Sequence, residues 1–127
     1  IEPNSVVLDL DYSDNWLGNH YSSYLGIDKP MVILKNYEAY SNSFPLKWDR
    51  HSFPALYLDS TKLQDACIGS VPKHENGEKS IDYVFIAGAN NIPDDDCTKQ
   101  YMNIIKSEYK KIAESDRKPY ILYQLEK

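Results

Sequence analysis

Sulfur and clustered positive charge are what this chain has least of. Its two cysteines, Cys67 and Cys97, stand thirty positions apart in 127 residues. Neither belongs to a CxxC or a Cys/His spacing, so no zinc site or dithiol redox centre is written here. Two semi-buried thiols, or one disulfide in an oxidising compartment, remain as readings. Fourteen Lys and Arg face nineteen Asp and Glu, for a net charge of −5, and the cations are scattered. A nucleic-acid binder needs a basic footprint that displaces counterions from phosphates, so that partner is excluded. The same balance disfavours docking on anionic lipid. No apolar run approaches the ~20 residues of a membrane-spanning helix. The opening residues "IEPNSVV" lack the charged and apolar regions of a signal peptide, and carry no Met. Also missing are a GxSxG elbow and a glycine-rich phosphate loop. The three histidines, His20, His51 and His74, are dispersed. They read as packed or solvated side chains, not as a ligand set or a base.

What is present is an ordinary globular composition, 42% hydrophobic and 26% charged, with an excess of tyrosine at 11 residues. Tyrosine suits half-buried positions, where the ring packs and the hydroxyl stays wet. The length indicates one domain able to bury roughly two-thirds of its unfolded surface.

"SVVLDLD" (Ser5 to Asp11) reads as a strand behind a Pro3-Asn4 turn. "SDNWLGNHYSSYLGID" places Trp16, Leu17, His20, Tyr21, Tyr24 and Leu25 at helical spacing, with Gly26 as a C-cap. "KPMVILKNYEAY" is a second strand starting at Pro30, and "FPALYLDS" (Phe53 to Ser60) a third. "GSVPKHENGEKS" is an exposed loop. "IDYVFIAG" is the clearest buried strand, closed by Gly88. A long helix is expected across "ANNIPDDDCTKQYMNIIKSEYKKIAESD", opened by Asp94, Asp95 and Asp96, which suit its N-terminus. Cys97, Tyr101, Ile104, Ile105, Glu108 and Ile112 would share its inward face. "KPYILYQLEK" closes the chain as a strand. The unit strand, helix, "YILYQL" reads as a parallel β–α–β crossover. The expected architecture is therefore a small layered α/β domain spanning residues 1–127. Its four- to five-stranded, mostly parallel sheet is flanked by helices, Rossmann-like without the nucleotide fingerprint.

The acids after the first strand carry the only visible chemistry. "VVLDLDYS" resembles the opening of the haloacid-dehalogenase phosphohydrolases, a strand followed by DxDx[TV]. That resemblance implies Asp9 as nucleophile and Asp11 as general acid, with Mg²⁺ bound nearby. It departs from the pattern at Tyr12-Ser13, where the family has Gly-Thr, and "GANNIPDDD" only imitates the later acidic motif. The plainer account is that such acids cap turns and helices. "DLD" also matches the short DxD of nucleotide-sugar transferases, which need about twice this length. An EF-hand fails, because Asp14 stands where glycine is required.

The stretch "SVVLDLDYSDNWLGNHYSSYLGIDKPMVILKNYEAYSNSFPLKW" resembles a segment of bacterial multi-pass membrane glycosyltransferases of the dolichyl-phosphate-mannose mannosyltransferase type. There it follows the last transmembrane helix and forms a C-terminal extracytoplasmic domain. The resemblance covers about the first 50 residues and carries no catalytic motif. It implies a soluble domain excised from a longer membrane protein, non-catalytic and without cofactor or metal, at the extracytoplasmic face. Its implied tasks are to complete that protein's fold or to contact glycan or lipid-linked sugar. The residues suited to sugar contact are Trp16, His20, Tyr37, Glu38, Tyr40 and Trp48. A simple protein-interaction module is the third alternative.

Overall fold

A computed structural model describes residues 1–14, 21–34, 80–116 and 119–126. They form a five-stranded mixed sheet with strand β1 (Val6–Asp11), β2 (Val32–Ile33), β3 (Tyr83–Ala87), β4 (Tyr109–Glu114) and β5 (Tyr120–Leu125). Among the described residues one α-helix, α1 (Asp96–Glu108), accompanies them. The strand order is β2-β1-β3-β5-β4. β1 pairs in parallel with both β2 and β3, while β5 runs antiparallel to β3 on one side and to β4 on the other.

This corrects the expected helix-flanked, mostly parallel α/β layer. Half of the ladders, and the majority of the registered residue pairs, are antiparallel. The cause lies in two places. First, α1 stops at Glu108 instead of running to Asp116, and "YKKIAE" continues as strand β4. Tyr109 leaves helical dihedrals for extended ones at φ −124° and ψ 139°. Its buried hydroxyl donates to the Ile81 carbonyl oxygen at 3.1 Å, which fixes the ring beneath the sheet. Second, only five residues, 115–119, separate β4 from β5, and strands joined that closely can pair only antiparallel. β5 thus inserts between β3 and β4, and the strand expected to run parallel to β3 after the helix lies beside it antiparallel instead.

β5 earns a central position through its composition. Tyr120, Leu122 and Gln124 alternate with Ile121, Tyr123 and Leu125, so both faces carry side chains that need cover. The sheet's two faces follow from register. Val6, Leu8, Val84, Ile86 and Tyr123 meet Tyr101, Met102 and Ile105 of α1. Each fully buried aliphatic of that layer contributes about 1.5–3 kcal/mol of apolar transfer. On the opposite face Val7, Tyr83, Phe85 and Ala87 pack with Ile1, Leu25, Met31, Tyr120 and Leu122.

Helix α1 begins where its acids allow. Asp95 is the N-cap, its side chain accepting from the Thr98 amide at 2.8 Å. The amphipathic helix expected after β1 falls partly outside the described residues. Its described portion forms a 3-10 turn at Ser22–Gly26. The candidate strand at Phe53 to Ser60 and the loop from Gly69 also lie outside them. Among the described residues no helix is long and apolar enough to cross a membrane.

Candidate functional site

The parallel strands β1 and β3 both end at one edge of the sheet, and chain leaves them there in adjacent loops. In open sheets with parallel strands, ligands gather outside such carboxyl ends. The two acids singled out from the sequence, Asp9 and Asp11, both belong to β1. Two residues apart on a strand, they project to the same face. Register sets Asp9 beside Phe85 and Asp11 beside Ala87, and the rows continue to Leu122 and Tyr120 on β5.

Their environments differ. Asp9 is 4% exposed, inside the strand and not at its mouth. Asp11 is the last strand residue, half-buried, and its Oδ1 accepts from the Ser13 amide at 2.8 Å and from Ser13 Oγ at 2.5 Å. That is an aspartate shaping its own turn, a role short carboxylates fill readily. Neither carboxylate converges with Asp94, Asp95 or Asp96. Asp94 pairs with Lys99 at 2.8 Å on the surface, and Asp95 caps α1. The Thr98 amide and hydroxyl hold the Asp95 carboxyl below its usual range. Among the described residues no group of three or more His, Cys, Asp or Glu is placed to hold a metal ion.

The two loops are pinned to each other by one backbone and one side-chain hydrogen bond. Tyr12 donates its amide to the Ala87 carbonyl at 2.8 Å, and Asn91 Nδ2 donates to Asp14 Oδ2 at 3.1 Å. Gly88 turns the chain at φ 71°, in the left-handed region that suits glycine. Tyr12 is half-buried against the α1 side. Burial, with the Asp95 charge second, pushes its phenol above the ordinary range.

Beside Asp11 lies an aromatic group that sequence reading did not single out. Tyr120 stacks on Phe85 with ring centroids 5.7 Å apart, and meets Tyr21 edge to face at 5.6 Å. Burial raises the Tyr120 phenol, followed by Tyr21 and the Asp11 charge. The signal for it was the register of β5, which needs the correct strand order to read. A cleft of about 260 Å³ opens at the same edge, lined by Asn90, Glu114, Ser115, Asp116, Pro119 and Ile121 among others. The expected sugar-contact residues Trp16, His20, Tyr37, Glu38, Tyr40 and Trp48 all lie outside the described residues.

Cys97, near the start of α1, is disulfide-bonded, and the chain has one other cysteine, Cys67. No protein-family description, no curated protein and no solved structure matches the chain.

Proposed function

We propose that this chain is a non-catalytic accessory domain of a bacterial membrane glycosyltransferase-like protein, standing at the extracytoplasmic face. Its task is to complete the larger protein's fold or to contact glycan or lipid-linked sugar. The observation that carries the non-catalytic part is the employment of Asp11. Its Oδ1 organises the Ser13 turn, while Asp9 is enclosed within the strand. The disulfide at Cys97 supports residence in an oxidising compartment, where such bonds persist.

One observation favours the competing phosphohydrolase reading. Asp9 and Asp11 share a face of β1 beside the parallel strand β3, toward the carboxyl ends. A phosphatase assay with Mg²⁺ on the wild type and on Asp9→Asn separates the two. The accessory reading expects no turnover that Asp9→Asn removes. Turnover lost on that substitution, with the variant still folded by circular dichroism, overturns it in favour of the hydrolase. Oligosaccharide titration followed by NMR then tests the sugar contact. Association with other proteins in the absence of any sugar response favours a protein-interaction module.

A further inference from the structure

Strand β4 is an edge of the sheet, and no described strand lies beyond it. Of its six residues only Tyr109 is buried; Lys110 through Glu114 are exposed. A strand open on both faces, with one backbone edge unmatched among the described residues, is a template on which a second strand can grow. Charge would reward such pairing. An antiparallel pairing of two copies centred on Ile112 sets Lys110 opposite Glu114 twice, and opposite charges across strands attract.

We infer that β4 is a guarded edge, built to refuse pairing with a second copy of this chain. Two features oppose the pairing. The register against β5 slips between Lys111 and Ala113, so Ile112 is an extra residue with no partner across the ladder. A bulge of this kind twists the edge and breaks the even spacing of outward N–H and C=O groups that a new strand would need. Lys111 is the second feature, since burying its ammonium against an incoming strand carries a desolvation cost. Lys111 is already engaged, its Nζ donating to Glu114 Oε2 across the bulge. That contact occupies the carboxylate a second copy's Lys110 would seek. The guard therefore consumes the same charges that would otherwise draw two chains together.

The register also shows how to remove it. Lys111 stands opposite Tyr123 and Ala113 opposite Leu122, which are consecutive positions on β5. Deleting Ile112 restores an unbroken ladder without moving any other pair. The test compares the wild type with Lys111→Thr, with the Ile112 deletion, and with both combined. Association is followed by light scattering and by amide exchange at residues 109–114. The wild type stays monomeric. Lys111→Thr folds normally and associates weakly, and the combined variant associates at least about tenfold more tightly than either alone. β4 amides become protected as concentration rises. Two results overturn the inference: a combined variant that is folded yet as monomeric as the wild type, or a wild type that already pairs through β4.

Discussion

A methyl group built on Gly88 would lie 2.4 Å from the amide nitrogen of Ser13, and equally close to the carbonyl carbon of Tyr12. The chain after β3 thus presses directly on the chain after β1, backbone on backbone, at the candidate edge. Gly88→Ala must both hold a left-handed dihedral and move one loop off the other. We expect a loss of about 2–4 kcal/mol in urea denaturation. A loss under half a kilocalorie would mean that the two loops separate freely.

Tyr109 anchors the junction between α1 and β4. Removing its hydroxyl leaves the Ile81 carbonyl without that donor in a buried setting. Tyr109→Phe is expected to cost about 1–2 kcal/mol. The pH dependence carries a second signature. Burial, with help from Tyr101, Glu108 and Asp82, holds this phenol well above the ordinary range. A folded pKa above the unfolded one means that its stabilising share is whole below about pH 10 and drains away as pH climbs further. The phenylalanine variant lacks that share, so its stability should fall less steeply with pH on the alkaline side. Parallel alkaline slopes for the two proteins would contradict this.

Asp95 behaves with the opposite sign. The Thr98 amide holds its carboxyl below the usual value, so the stabilising effect is present above about pH 4 and is lost as pH falls through the depressed folded value. Asp95→Ala should lower the melting midpoint by roughly 3–5 °C at neutral pH. The gap between variant and wild type should close in acid. A gap that persists at pH 2 would place the effect elsewhere than in the carboxylate.

Reduction of the disulfide at Cys97 should destabilise the fold by roughly 2–4 kcal/mol, the usual range for such a bond. Cys97→Ser should match the reduced wild type and show no further response to dithiothreitol. Mass spectrometry of the alkylated, unreduced protein checks the bond directly: no free thiol should label.

The elements most legible in the sequence were those with a single strong signal. "SVVLDLD" and "IDYVFIAG" are short apolar runs between turn residues, and they form β1 and β3. The triple aspartate announced the start of α1, with Asp95 as the capping residue. The end of that helix was hidden, because the 3.6-residue pattern continues to Ile112 by coincidence. Ile112 satisfies it while also being a good strand former, and tertiary anchoring of Tyr109 decided for the strand. The two-sided apolar pattern of "YILYQL" was visible, yet its meaning, a strand with neighbours on both sides, emerges only once β4 is recognised. Asp9 and Asp11 were singled out as paired carboxylates. Their different burial depends on β3 and β5 lying alongside, which no local pattern encodes. The partnership of Tyr120, Phe85 and Tyr21 joins residues up to 99 positions apart and could not be read from spacing.

The interior place of β5 has a consequence for how this protein is made. Residues 120–125 fill the gap between two strands synthesised before them, so among the described strands none lies between β3 and β4 until residues 120–125 have been made. A nascent chain cut short before Tyr120 therefore loses the middle of its sheet, not a dispensable tail.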